Sequence, residues 1–125
     1  MAEKISLYVH IPFCRSKCDY CDFYSLAGKE DRMDDYQKAL IKHLKETAPY
    51  VKGYPVESIY FGGGTPTFYG EKRLRELLGV IRRKYSVCHD AEITVEANPD
   101  SLDRRSLGWL RFAGFNRLSL GVQSA

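Results

Sequence analysis

The chain has 125 residues, of which 44% are apolar and 28% charged, with 19 Lys and Arg against 16 Asp and Glu for a formal net charge of +3. This composition suits one soluble globular domain at most, and no apolar run approaches the ~20 residues of a membrane span. The basic excess is mild, and its densest run, Arg82-Arg83-Lys84, falls at a helix end where cations suit the helix dipole, so no nucleic-acid surface is expected.

The N-terminal stretch MAEKISLYVH has neither a long apolar segment nor a small-residue cleavage site, which points to a cytoplasmic location and away from disulfides. Ser6 to Ile11 reads as a strand, and three of the four cysteines follow it at once: Cys14, Cys18 and Cys21, spaced C-x3-C-x2-C. Thiolate is the form that binds metal, and Arg15 and Lys17 favour it electrostatically. Three sulfurs on one loop can hold three corners of an iron–sulfur cluster, whereas electron carriers usually supply four. The missing fourth ligand leaves one iron open to a small molecule. A structural zinc site with His10 as fourth ligand is the alternative, although no second Cys/His pair closes it. Cys88 stands apart and reads as a small apolar residue.

Asp31 to Ala48 carries Met33, Tyr36, Leu40 and Leu44 at helical spacing, with acids in its first turn, and stops before Lys52-Gly53-Tyr54-Pro55. Ser58 to Phe61 is a short buried-type strand running into Gly62-Gly63-Gly64-Thr65-Pro66-Thr67. The glycines match neither G-x-G-x-x-G nor the P-loop pattern, so those modes of phosphate binding are not expected; what they permit is close approach of backbone to a ligand. Leu74, Leu77, Leu78, Ile81 and Tyr85 form the cleanest helical stripe in the chain. A third strand spans Glu92 to Glu96, a third helix about Asp103 to Ala113 with Gly114 as its cap, and a fourth strand Arg117 to Gly121.

Strands alternating with helices predict an α/β fold, parallel strands in the order β-α-β-α-β-α-β joined by crossovers. Ligands bind at the carboxyl ends of such strands, where the cysteine loop, the glycine loop, Glu96 and Gln123 all fall. Glu96 is placed there to receive a ligand hydroxyl or ammonium. A complete (β/α) barrel runs to about 250 residues, so residues 1–125 are expected to be the N-terminal half of one, incomplete as a domain. The first and last strands would then lack neighbours, and the piece alone is expected to self-associate.

The C-x3-C-x2-C loop after the first strand, with Tyr20 just before the third cysteine, resembles the signature of the radical S-adenosylmethionine superfamily. Within it, YVHIPFC, YFGGGTPT, VEANPDSL and RLSLGVQS together resemble the oxygen-independent coproporphyrinogen III oxidase-like family over essentially the whole chain. That resemblance implies a [4Fe-4S] cluster on Cys14, Cys18 and Cys21. Its open iron would chelate S-adenosylmethionine, which one electron from a donor protein cleaves to methionine and a 5′-deoxyadenosyl radical. It also implies contacts to one or two molecules of S-adenosylmethionine from Tyr8, Tyr20, Gly63, Gly64, Thr65, Glu96 and Gln123.

The decarboxylase of this family resembles C-x3-C-x2-C-x-C, whereas here Phe23 stands in the place of the last cysteine. CDYCDFYS is instead similar to the haem chaperone branch, which binds haem and hands it to respiratory enzymes. The expected function is therefore haem chaperoning, with radical decarboxylation of coproporphyrinogen III as the alternative and a structural zinc domain as a third reading. His10 and His43 are both candidate haem ligands, and the sequence does not choose between them.

Overall fold

The computed structural model describes residues 3–13, 29–99 and 102–120. Four strands, β1 (Ile5–Ile11), β2 (Val56–Gly63), β3 (Val87–Ala97) and β4 (Arg117–Leu120), form one all-parallel sheet in the order β1-β2-β3-β4. Between them lie α1 (Lys29–Thr47), the single turn α2 (Pro66–Tyr69), α3 (Glu71–Lys84) and α4 (Arg104–Ala113). The strand order never reverses. A doubly wound sheet changes direction at a switch point, whereas sequential order is that of a barrel wall with its helices on one side.

The side-chain alternation shows the same arrangement. One face carries Val9, Ile11, Ile59, Phe61, Ile93, Val95 and Ala97, all buried, and receives the helical layer through Met33, Leu44, Leu74, Leu77, Leu78, Ile81 and Leu110. The other carries Ser6, Tyr8 and His10 from β1, Ser58, Tyr60 and Gly62 from β2, Glu92, Thr94 and Glu96 from β3, and Arg117 and Ser119 from β4, matched by register. Its cross-strand links are polar: Ser58 to Ser6 at 2.7 Å, Tyr60 to Glu96 at 2.8 Å and Arg117 to Glu92 at 2.7 Å. Purely parallel sheets bury apolar residues on both faces, so a polar second face marks a surface built for something other than packing.

The helices end where local chemistry dictates. Asp103 caps α4, accepting the Ser106 N–H at 2.6 Å, and this bond, from backbone and side chain alike, holds its carboxyl below the ordinary range. Gly114 closes the same helix at φ 121°, with its N–H shared between Leu110 and Arg111. The predicted α3 stripe is buried throughout, and Arg82, Arg83 and Lys84 fill its last turn as expected. Several boundaries differ from the sequence reading, among them β2, which runs Val56–Gly63 and so takes in the first two glycines. β3 begins at Val87, not Glu92, because its parallel pairing with β2 reaches back to Val56; and Pro66–Tyr69, read as loop, forms a helical turn that buries Tyr69 completely. Cys88 is half-buried against the core, as its isolation suggested. Among the described residues no helix is long and apolar enough to cross a membrane.

β1 and β4 are the sheet edges, and on the apolar side of β4 Leu118 is 38% and Leu120 54% exposed. Residues 1–125 in isolation should therefore sediment as oligomers, and the double substitution Leu118→Lys, Leu120→Lys should shift them toward monomer. A monomeric, cooperatively melting wild-type piece would contradict this.

Candidate functional site

The site is built where β1 and β2 leave the sheet side by side. His10 and Ile11 pair with Gly62 and Gly63 in the ladder, and beyond it the Gly64 N–H donates to the Ile11 carbonyl and the Thr65 N–H to the Phe13 carbonyl, each at 2.7 Å. The two chains run so close at this point that a methyl group on Gly64 would lie 2.5 Å from the Phe13 carbonyl oxygen and 2.9 Å from its nitrogen. Sequence reasoning reserved the glycines for a ligand; at Gly64 the close approach is to the backbone that leads into the cysteine loop. Gly63, at φ 119°, adopts a conformation that L side chains rarely take, and the His10 imidazole covers the place where its Cβ would be.

The Phe13 ring is held as firmly as its backbone. It stacks on Tyr69 at 5.4 Å and meets Tyr36 edge-on at 5.5 Å. Tyr36 donates to the His10 carbonyl, and Tyr69 donates to the Gln37 Oε1 at 2.6 Å. Burial pushes both phenols up, Tyr69 strongly despite the opposing Arg73 guanidinium, so each stays a donor. Gln37, itself buried, completes the latch by donating to the Arg73 carbonyl and to Glu76. The α1 and α2 segments thus grip the residue that precedes Cys14.

Glu96, at the end of β3, closes the other side. Its Oε1 accepts the Gly63 N–H at 2.9 Å and its Oε2 the Tyr60 hydroxyl at 2.8 Å. Below these groups opens a cleft of about 220 Å³ lined by Gly63, Gly64, Thr65, Glu96, Ala97, Asn98 and Ser119. The N–H groups of Gly63, Gly64 and Thr65 are all donated within the protein. The N–H groups of these three residues are therefore not open to a ligand, and the charged group of the lining is the Glu96 carboxylate, which favours ammonium and hydroxyl groups over phosphate.

Of the residues singled out from the sequence, Gly63, Gly64, Thr65 and Glu96 meet at this cleft. Tyr8, 60% exposed, does not line it, but stacks on Tyr60 at 5.8 Å and on His10 at 6.1 Å. His10 is exposed on the polar face beside the cleft, whereas His43 is exposed on α1, in the layer across the sheet. Cys14, Cys18, Cys21, Tyr20, Phe23 and Gln123 lie outside the described residues. Sequence reasoning passed over Tyr60, Ser119, Asn98 and Phe13; the period-two alternation from Gly62 back to Tyr60, and from Glu96 across to Ser119, was the signal available for the first two.

If Gly64 serves the clasp on Phe13, Gly64→Ala should cost about 1–3 kcal/mol of stability, as overpacked sites do. It should also lower the iron retained after anaerobic reconstitution, whereas Cys88→Ser should leave the iron unchanged. Denaturant titration and iron analysis check both, and a Gly64→Ala protein with wild-type stability and iron would contradict the clasp.

The family model for the radical SAM superfamily matches residues 8–125. The chain is 43% identical over 121 residues to the haem chaperone HemW of Escherichia coli (strain K12), covering 96% of this chain and 32% of that protein. It is 38% identical over 120 residues to the oxygen-independent coproporphyrinogen III oxidase of the same organism, covering 95% and 26%. A solved structure of coproporphyrinogen III oxidase (HemN) from Escherichia coli, described as a radical SAM enzyme, superimposes with a TM-score of 0.84 at 36% identity, over 98% of this chain and 28% of that one. The chain thus spans about a third of the length of these relatives or less. With the family match running over nearly all its residues and its parallel sheet shared with the solved structure, the chain belongs to the radical SAM superfamily.

Proposed function

We propose that residues 1–125 are the N-terminal portion of the core domain of a longer haem chaperone, a cytoplasmic protein that binds haem and passes it to respiratory haem proteins. The family implies S-adenosylmethionine and a [4Fe-4S] cluster. The described residues fit the first: S-adenosylmethionine carries an ammonium group and ribose hydroxyls, and the Glu96 carboxylate in the cleft lining can accept from either. Cys14, Cys18 and Cys21 would hold the cluster, which when bound supplies one electron to the sulfonium.

In this reading the protein's own groups do the positioning. Gly63, Gly64 and Thr65 commit their N–H groups to Glu96, Ile11 and Phe13, which fixes the loop at the rim of the cleft. Glu96, anchored through both oxygens, accepts from the ligand in a fixed direction, at about 1.5–3 kcal/mol for a charge-assisted hydrogen bond. Tyr8, Tyr20 and Gln123 are the further contacts. His10, beside the cleft on the polar face, is better placed than His43 to meet haem that lies against that face.

The observation that carries the choice of chaperone over oxidase is Phe23, which stands where the decarboxylase pattern has a cysteine. The higher identity to the chaperone supports the same choice. The full-length protein carrying this chain, reconstituted and reduced without oxygen, is expected to bind haem and to leave coproporphyrinogen III unconverted. Spectral titration with haem and product analysis after incubation with the porphyrinogen decide it: steady formation of protoporphyrinogen IX would overturn the chaperone reading in favour of the oxidase.

A further inference from the structure

We propose that Tyr60 is a positioning residue of the cofactor site, acting through Glu96. The inference rests on the reading above that the cleft takes S-adenosylmethionine. Glu96 stands on β3 between β2 and β4, and the groups that hold its carboxylate, the Tyr60 hydroxyl and the Gly63 N–H, both come from β2. A carboxylate has about four lone-pair sites. Gly63 N–H takes one on Oε1 and the Tyr60 hydroxyl one on Oε2, so rotation of the carboxyl group breaks at least one bond, and the remaining sites keep a fixed direction.

Tyr60 is held at both ends. Its ring stacks on Tyr8 with planes 12° apart, and its hydroxyl donates to Glu96 at 2.8 Å. Ser119 draws the phenol's pKa down, but Glu96 and burial together outweigh it, so the group lies above its ordinary value and donates throughout the neutral range. The Tyr60 hydroxyl thus reaches from β2 to the Glu96 carboxylate on β3, the acceptor that lines the cleft. Were Tyr60 only a packing residue, Phe would replace it without loss, because the ring and not the hydroxyl would matter.

The test compares Tyr60→Phe, Glu96→Gln and the double variant in the full-length, cluster-loaded protein, with S-adenosylmethionine affinity by equilibrium dialysis and iron content and melting temperature alongside. Tyr60→Phe is expected to weaken binding about tenfold, the worth of one hydrogen bond to a charged group. Glu96→Gln should weaken it at least as much, and the double variant should bind no worse than Glu96→Gln alone, with iron at the wild-type value and every variant folded at the assay temperature by its melting curve. Wild-type affinity in Tyr60→Phe, losses that multiply in the double variant, or a fall in iron in Tyr60→Phe would each overturn the proposal while leaving the cleft assignment standing. Wild-type affinity in Glu96→Gln would remove the cleft assignment and this proposal together.

Discussion

The geometry of the site depends on a clasp between two loop entrances, made by two backbone hydrogen bonds over a residue with no side chain. Gly64 and Thr65 donate to Ile11 and Phe13, and the absence of a Cβ at Gly64 lets the two backbones meet. Because Phe13 is the residue before Cys14, the start of the cysteine loop is tied to the glycine loop within one peptide of its first thiol. The Tyr36–Tyr69–Gln37 latch adds a second constraint from the helical layer, so that Phe13 is fixed by backbone on one side and by ring on the other. A fold that brings a cysteine loop and a glycine loop to one end of a sheet must also hold them in register with each other, and here that register is carried by main chain.

The polar face of the sheet is the second consequence. A parallel sheet whose strands alternate apolar and polar side chains can bury only one face against its helices; the other must be covered by further protein or by ligand. Serine, tyrosine, glutamate and arginine on that face pair across the strands, which limits the cost of their confinement, while Glu96 keeps acceptor capacity toward the cleft. The same carboxylate therefore joins β2 to β3 and lines the cleft, and in the function proposed above these structural bonds give its bond to the ligand a direction.

Much of this was legible in the residues. The leucine stripe of α3, the Asp103 and Gly114 caps and the order of strands and helices follow from local periodicity and capping chemistry, which need no knowledge of tertiary contacts. The convergence of Gly63, Gly64, Thr65 and Glu96 followed from placing each at a strand's carboxyl end. What escaped was cross-strand. Tyr60 reads as an ordinary aromatic in a strand, and only the register with β3 turns it into a partner of Glu96. Tyr69 sits in a turn of four residues, too short for a periodic signal, yet is wholly buried. For Gly64 the residue type alone does not name the neighbour: a glycine shows that something comes close, and only the fold shows that the Phe13 backbone does so here.

The central claim is that three cysteines on a loop clasped to the Glu96 cleft leave one iron free for S-adenosylmethionine. Mössbauer spectroscopy of the full-length protein reconstituted with ⁵⁷Fe, before and after adding S-adenosylmethionine, tests it most directly. The account predicts a [4Fe-4S] spectrum in which the parameters of a single iron site change on addition while the thiolate-bound irons do not. A spectrum indifferent to S-adenosylmethionine, or a protein that takes up zinc and no iron under these conditions, would contradict it.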